Sequence, residues 1–221
     1  MILHLKNHIM RFKIIYILVG FCICLLFDLD VAIELSETEN VAYRHAAQKI
    51  TDIALGATWM WGSAVAIIVL TFFLKKNFFI RFKNYFLNFR LWFSHLLFAM
   101  LSSGIIVILC KFIFGRTRPF AISAHSSTFE ISPFNLNPAY QSFPSGHTQI
   151  IFCVSTMLTV LWPKKSILFF SLALAIAITR VITINHFLSD LYAGMIIGIY
   201  GTRISINFWS RWVDKPVQFK L

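Results

Sequence analysis

Residues 166–208 read SILFFSLALAIAITRVITINHFLSDLYAGMIIGIYGTRISINF. Two apolar runs, 166–184 and 187–208, flank a short polar turn that carries Arg180, His186 and Asp190. A helix needs about 20 apolar residues to cross a bilayer, and each run is close to that length. The stretch therefore predicts two membrane-spanning helices joined at one bilayer surface, with charged side chains gathered at the turn.

The same pattern of apolar runs extends through the rest of the chain. Of its 221 residues 58% are hydrophobic and 13% are charged, and the mean hydropathy of +0.73 is well outside the range of soluble proteins. Four further candidate spans cover residues 12–28, 53–74, 90–110 and 147–163. We therefore predict an all-α, polytopic membrane protein with six transmembrane helices in a single bundle and one domain over residues 1–221. The first run leads into Asp28 rather than a small-residue cleavage site, which favours a retained helix over a signal peptide.

The distribution of charge predicts how the spans are oriented. Basic residues dominate the N-terminus, the second and fourth connections and the C-terminal tail, whereas residues 28–52 are mostly acidic. By the positive-inside rule, both termini are cytoplasmic and residues 28–52 lie outside. The same parity places residues 111–146 and 179–190 on the outer face. Topology thus explains the net charge of +11, and no basic stripe interleaved with aromatic residues indicates a nucleic-acid partner.

Two connecting segments have features of their own. Residues 36–52 begin with Ser36 and have Glu39 at capping-box spacing, so an interfacial helix is expected there. Prolines and the Ser126–Ser127 pair mark residues 120–143 as an irregular outer loop. The four cysteines lie in or beside apolar runs without metal-ligand spacing, and we interpret them as core or lipid-facing residues.

Three polar segments on the predicted outer face carry the candidate chemistry. His186 and Asp190 stand four residues apart, which on a helix would let the carboxylate orient one ring nitrogen and leave the other free to react. A structural ion pair explains these two residues about equally well. The segment 144–147, Pro-Ser-Gly-His, precedes an apolar run, so a helix beginning there would offer backbone N–H groups to an anion. For Ser145 alone a simple helix N-cap is the more common explanation, and a lone His147 would more often be a hydrogen-bonded boundary residue.

The cations of these segments are Lys111, Arg118 and Arg180, with Arg116 as a weaker fourth candidate. A guanidinium can bind phosphate oxygens through two hydrogen bonds and a lysine adds a point charge, so the set could neutralise a phosphoryl group. Any one of them taken alone is better explained by snorkelling to lipid headgroups. Three cations on one face with two histidines favour a phosphate site.

These residues resemble the three signature motifs of the type 2 phosphatidic acid phosphatase (PAP2) superfamily. The family pattern is Lys-x6-Arg-Pro, then Pro-Ser-Gly-His, then Ser-Arg-x5-His-x3-Asp. The chain matches it from Lys111 to Asp190 with one departure, because Thr179 stands in place of the serine and keeps a hydroxyl. The six predicted spans are also similar to the membrane branch of the family, in which all three motifs face one side of a helical bundle.

The resemblance implies a role for each motif residue. His186 would be the nucleophile that forms a phosphohistidine, Asp190 would orient it, and His147 would be the general acid and then the base that activates water. The residues that would bind the phosphate oxygens are Lys111, Arg118, Ser145, Gly146 and Arg180. No metal or other cofactor is implied, and the outer face offers no carboxylate cluster for a divalent ion.

The resemblance also implies a lipid phosphate substrate, hydrolysed at the periplasmic face of a bacterial inner membrane. Family members of this size are similar to phosphatases of lipid A, undecaprenyl diphosphate and phosphatidylglycerophosphate, among which we place lipid A first. The expected partners are a membrane phospholipid or isoprenoid phosphate and the bilayer, without an obligatory protein partner. Two alternatives are an anion or lipid transporter, with the cations lining its path, and a non-catalytic lipid-binding relative with the same fold. The presence of both histidines disfavours the second alternative.

Overall fold

The computed structural model describes residues 2–37, 41–75, 81–122 and 130–212. Within these ranges the regular structure consists of α-helices and short 3₁₀ turns, and the only β pairing is an isolated bridge between Arg116 and Ile131. The α-helices are α1 (Ile2–Glu37), α2 (Val41–Thr51), α3 (Gly56–Leu74), α4 (Lys83–Phe114), α5 (Gly146–Leu161), α6 (Ser166–Ile182) and α7 (Leu188–Trp212). The prediction of an all-α fold is confirmed.

Each of the six predicted spans corresponds to one of the longer helices. Four segments of the described chain are long and apolar enough to cross a membrane, namely Ile14–Glu37, Ala42–Leu74, Lys83–Phe114 and Pro163–Ile182. Helix α5 is apolar but shorter, with 16 residues, and α7 occupies the position of the sixth predicted span. The chain is therefore a helical membrane protein, and its helices follow the predicted order.

The end of the first span was predicted wrongly. Helix α1 continues through Glu37 instead of ending near residue 28, so Asp28 lies within the helix and is 1% exposed. Good helix formers follow Asp28, and its carboxylate finds buried partners, so the acidic residues do not end the helix. Ser36 lies in the last turn of α1, where its hydroxyl donates to the Ile33 carbonyl, and it does not cap the next helix.

The short helix expected between the first two spans is present as α2, which packs against α6. The described parts of the predicted outer loop, residues 120–122 and 130–143, are irregular as expected, with 3₁₀ turns at Pro119–Ala121 and Pro138–Tyr140. Some residues on which these expectations rest lie outside the described ranges, namely Glu39, the Ser126–Ser127 pair, and the basic residues Lys76, Lys215 and Lys220.

Helix α5 forms the centre of the bundle, and its two faces belong to two apolar clusters. One face packs against α4, where Trp92, Leu96 and Met100 are buried. The opposite face packs through Ile151 and Phe152 against α6 and α7. Because α5 is covered on both faces, its short length reflects a position inside the protein rather than contact with lipid.

Two glycines on α7 allow this helix to approach α5 closely. A Cβ atom at Gly194 would lie 2.5 Å from the Ser145 carbonyl oxygen, and one at Gly198 would lie 2.6 Å from the Gln149 carbonyl oxygen. Small residues spaced four apart are the usual means of close helix packing in membranes. The start of α7 is thereby held against the start of α5, where the second motif lies.

Backbone hydrogen bonds join the three motif segments at one end of the bundle. The Phe120 N–H donates to the Ile184 carbonyl at 3.1 Å, and the Ser145 N–H donates to the Asp190 carbonyl at 3.0 Å. Gly115 ends α4 in the left-handed conformation at φ 55°, where a Cβ would collide with the Ser132 carbonyl oxygen. The chain therefore turns back over the helix ends and encloses the motif side chains.

Candidate active site

The predicted site residues come from four helix ends that meet at this end of the bundle. Lys111 lies in the last turn of α4 and Arg180 in the last turn of α6. His147 lies in the first turn of α5, and His186 lies in the turn just before α7. Arg118 immediately precedes the 3₁₀ turn Pro119–Ala121. The three motifs therefore lie close together in the fold, as expected for segments on one face of the bundle.

His186 and Asp190 face each other, although not as two residues of one helix. Helix α7 begins at Leu188, so His186 precedes it and the prediction of a shared helical face was wrong. The His186 Nδ1 atom is 3.5 Å from Asp190 Oδ2, and the same oxygen accepts hydrogen bonds from Ser142 Oγ at 2.5 Å and Phe187 N at 2.9 Å. The bond from Phe187 is one half of a capping box, which holds the carboxylate at the start of α7.

Arg116 does not join the predicted phosphate-binding cations. Its guanidinium is 5% exposed and donates from Nη1 to Asp190 Oδ1 at 2.8 Å and from Nη2 to Asp28 Oδ2 at 2.8 Å. It also lies over the ring of Phe187, with Cζ 4.1 Å from the ring centroid. Arg116 therefore points into the protein, toward the far side of Asp190.

The other three cations form one electrostatic cluster around His147. The charges of Arg180, Arg118 and Lys111 all act on the His147 imidazole. The Lys111 Nζ atom donates to the Gln141 carbonyl, and Arg118 Nη2 lies 3.5 Å from the same oxygen. Burial lowers the pKa of Arg118, and the Asp190 charge opposes that change. Three like charges gathered at one place favour the binding of an anion.

Two buried guanidinium nitrogens in this cluster are unsatisfied. Arg118 Nε and Arg180 Nε have no hydrogen-bond acceptor among the described residues. A buried donor without a partner costs free energy, more so when it carries charge. Oxygen atoms of a bound anion would accept these bonds, and a phosphate suits the planar arginine fork.

His186 is held as a neutral imidazole. Its side chain is 2% exposed, and burial lowers its pKa to about 3 against the opposing hydrogen bond to Asp190, with the charges of Lys111 and Arg180 adding to the lowering. A neutral ring whose Nδ1 proton faces Asp190 has a free electron pair on Nε2. The geometry therefore suits a nucleophilic nitrogen.

The serine and threonine of the motifs make local bonds. Ser145 caps α5, and its Oγ accepts hydrogen bonds from the Thr148 N–H at 3.4 Å and the Thr148 hydroxyl at 3.1 Å. At Gly146 a Cβ would meet only Val107, at 3.8 Å. The Thr179 hydroxyl donates to the Ile176 carbonyl at 2.6 Å, so it satisfies its own helix.

Several residues of the site were missed by sequence reasoning. Asp28, Ser142 and Ser189 all bond to the Asp190 network, and Gln141 contributes its carbonyl to the cations. A charged residue at the end of an apolar run was the signal available for Asp28. In the described part of the chain, no group of three or more His, Cys, Asp or Glu side chains is arranged to hold a metal ion.

A family model described as the PAP2 superfamily matches residues 92–214, more than half of the chain. The chain belongs to the PAP2 superfamily. The matched range includes all three motifs and helices α5, α6 and α7, so the motif residues that converge at the bundle end lie within it.

Two curated proteins and one solved structure resemble this chain. It is 29% identical over 118 residues to a lipid A 1-phosphatase of Rhizobium johnstonii (53% of this chain and 48% of that protein) and 28% identical over 118 residues to one of Rhizobium etli (53% and 50%). The chain spans about half the length of the curated relatives it matches. The crystal structure of Aquifex aeolicus LpxE has the same fold, with a TM-score of 0.54 and 20% identity over 82% of this chain and 95% of that one.

Proposed function

We propose that this protein is a membrane lipid phosphatase that releases phosphate from a lipid headgroup through a phosphohistidine, with a lipid A 1-phosphate as the first candidate substrate. The observation that carries the proposal is the pair of unsatisfied buried arginine nitrogens beside a neutral His186 that faces Asp190. Undecaprenyl diphosphate and phosphatidylglycerophosphate are the next candidates. The names of the Rhizobium relatives favour lipid A.

In the first step His186 Nε2 attacks phosphorus and the bond from phosphorus to the lipid oxygen breaks. Lys111, Arg118 and Arg180 neutralise the charge on the phosphoryl oxygens, and Asp190 stabilises the proton on Nδ1. The negative charge of the bound phosphate offsets the three cations around His147, so that a protonated His147 can donate its proton to the departing oxygen. The products of this step are the dephosphorylated lipid and a phosphorylated His186.

In the second step water replaces the histidine. His147, now neutral, accepts a proton from the water molecule, whose oxygen bonds to phosphorus while the bond to Nε2 breaks. Inorganic phosphate leaves, His186 regains its electron pair and His147 regains its proton. Ser145 and Gly146 lie at the start of α5, where the helix dipole and backbone N–H groups favour the phosphate.

An apolar cavity next to the site supports a lipid substrate. It has a volume of about 190 Å³ and lies between α1, α5, α6 and α7, with Thr148, Ile178 and Leu188 among its lining residues. These residues are one or two positions in sequence from His147, Arg180 and His186. A headgroup bound at the cations would therefore have room beside it for the first part of its hydrocarbon tail.

We further propose the orientation and extent expected from the sequence. Both termini are cytoplasmic, the site faces the periplasm from an inner membrane, and residues 1–221 act as one domain. The transporter alternative is less favoured, because Lys111 and Arg180 lie in the last turns of their helices rather than along a path through the bundle.

Phosphate release by the purified full chain in detergent tests the proposal. Lipid A, undecaprenyl diphosphate and phosphatidylglycerophosphate are compared, and His186→Ala is expected to lower kcat at least about 1000-fold on the preferred lipid. His45, an exposed histidine of α2, provides the matched control, because His45→Ala should keep wild-type turnover. Retained turnover in His186→Ala would show that the nucleophile is misassigned.

The role of His147 has a separate readout. In single-turnover measurements, which follow release of the leaving group before the second step, His147→Ala should lose much less activity on an aryl phosphate, whose leaving group needs no proton, than on a lipid phosphate. Equal losses on both substrates would contradict its role as general acid. If no lipid of the panel released phosphate but the protein still moved phosphate across vesicles, the transporter alternative would replace the phosphatase.

A further inference from the structure

Asp28 is a buried carboxylate in α1, at the end of the apolar run of the first span. It is 1% exposed, and α1 presents many large apolar side chains to the surroundings on its other faces. An ionised side chain within a membrane helix is costly and is kept only where it is paired. The partners of Asp28 therefore indicate the role of its side chain.

These partners are two residues from distant parts of the chain. The Asp28 Oδ2 atom accepts hydrogen bonds from Arg116 Nη2 at 2.8 Å and from Ser189 Oγ at 2.5 Å. The Oδ1 atom accepts from the Ser189 backbone N–H at 2.9 Å. Both oxygens are thus committed, and both accept a hydrogen bond from Ser189, the residue that immediately precedes Asp190.

One of these partners, Arg116, also binds Asp190, and the other, Ser189, is its neighbour in the chain. Arg116 Nη1 donates to Asp190 Oδ1 at 2.8 Å and to Ser189 Oγ at 2.7 Å. Asp190 Oδ1 is occupied in this way, and Oδ2 is the oxygen turned toward His186. The guanidinium of Arg116 can hold Asp190 in this rotation only while its own second nitrogen is fixed, and Asp28 fixes it.

Charge gives a second reason for Asp28. Arg116 and Asp190 alone would form a neutral pair, and a neutral pair does little to stabilise positive charge on His186. With Asp28 the buried group of three carries a net charge of about −1, because two carboxylates face one guanidinium. Asp190 therefore keeps negative charge for the histidine while it is held in place by Arg116.

We infer that Asp28 is a positioning residue for the phosphoryl-transfer site, acting on His186 through Arg116, Ser189 and Asp190. The inference rests on the proposed roles of His186 and Asp190. It assigns to α1 a part in the chemistry, although all three PAP2 motifs lie in later helices and the matched family region begins at residue 92. It also explains why Arg116, which stands inside the first motif, points away from the phosphate.

The test compares Asp28→Asn with Asp30→Asn in the full-length protein. Asp30 lies on the same helix and is exposed, so its variant makes the same chemical change outside the network. Asp28→Asn is expected to lower kcat about 10- to 100-fold with KM within about twofold, because it disturbs the orientation of a reacting group and no substrate contact. Asp30→Asn should keep both constants. Activities refer to the monodisperse fraction from gel filtration, which removes unfolded protein from the comparison.

Two further measurements distinguish positioning from a merely structural role. Ser189→Ala removes only the hydroxyl that bridges Arg116 and Asp28, and it should give a smaller loss of kcat, again without a change in KM. In protein with ¹⁵N-labelled histidine, the Nδ1 signal of His186, assigned by its loss in His186→Ala, should shift in Asp28→Asn and stay in place in Asp30→Asn.

Wild-type kcat and an unshifted His186 signal in Asp28→Asn would overturn the inference. A rise in KM as large as the fall in kcat would also overturn it, since that result indicates general distortion of the substrate site. Failure of the proposed function is a different result, namely full turnover in His186→Ala. If His186→Ala is inactive and Asp28→Asn is fully active, only the role of Asp28 is lost.

Discussion

Replacing Arg116 with methionine should be one of the most destabilising single changes in the described part of the chain. Methionine has a similar length but no charge, so Asp28 and Asp190 would face each other in the interior without a cation between them. Their side chains are each 0% exposed, so water cannot replace the guanidinium. Removing one partner of a buried ion pair costs about 3–5 kcal/mol, and two stranded carboxylates place this variant near 5 kcal/mol.

The assay is equilibrium unfolding of the purified protein in mixed micelles, followed by tryptophan fluorescence during a titration with denaturing detergent. Arg203 on α7 is exposed and provides the matched control, because Arg203→Met should change the free energy of unfolding by less than about 0.5 kcal/mol. The loss in Arg116→Met should shrink as the pH falls, since protonation of one carboxylate removes the repulsion.

A change in the free energy of unfolding below about 1 kcal/mol in Arg116→Met would refute this reasoning. The combined variant Asp28→Asn, Arg116→Met and Asp190→Asn offers a second check. It removes all three charges, so it should recover much of the stability lost in Arg116→Met while remaining inactive. Simple addition of three separate losses would show that the charges are not coupled.

Three further changes test other parts of the structure. Burial and the neighbouring cations hold the pKa of His186 at about 3, below the 6.5 of an exposed imidazole. Between these two pH values only the unfolded chain binds the proton, so the free energy of unfolding decreases as the pH is lowered, by up to about 1.4 kcal/mol per pH unit. His186→Gln should remove that part of the acid sensitivity in unfolding titrations, and an unchanged pH slope would contradict the assignment. Gly194→Ala should cost about 1–3 kcal/mol because its Cβ would lie 2.5 Å from a carbonyl oxygen of the second motif, whereas Gly62→Ala, with no atom within 4 Å, should be neutral in the same assay. Ile178→Trp should fill the apolar cavity and raise KM about tenfold for a long-chain lipid phosphate but not for a dihexanoyl one. The control is Leu172→Trp, which changes an exposed residue of the same helix. Equal KM values of the two variants for the long-chain lipid would argue against a tail in this cavity.

Sequence reasoning was most successful where the signal is local. The apolar runs located α3 to α7 to within a few residues, apart from the longer N-terminal end of α4, because the length of a membrane span is set by the bilayer. It failed at the end of α1, where acidic residues suggested an aqueous connection. Whether a buried helix can continue past a carboxylate depends on a partner elsewhere in the fold, and the neighbouring sequence does not show that partner.

The candidate site shows the same division. Motif spacing named Lys111, Arg118, His147, Arg180 and His186, and the structure gathers them at one end of the bundle. Spacing also suggested that His186 and Asp190 share a helical face, yet their contact is made across the start of α7 by a capping arrangement. The residues that were missed, such as Ser142, bind Asp190 through loops whose course depends on tertiary packing.

The sequence by itself determined the helical membrane fold and the membership of the PAP2 superfamily, because hydropathy, motif spacing and side-chain type are properties of the chain. Only the tertiary structure decided which partner each charged side chain faces. Arg116 and Arg118 are two residues apart, yet one reaches a carboxylate 88 residues earlier in the chain and the other turns toward the Gln141 carbonyl beside Lys111. The physical reason is that burial makes an unpaired charge costly, so each guanidinium is oriented by the partner that the folded helices bring to it.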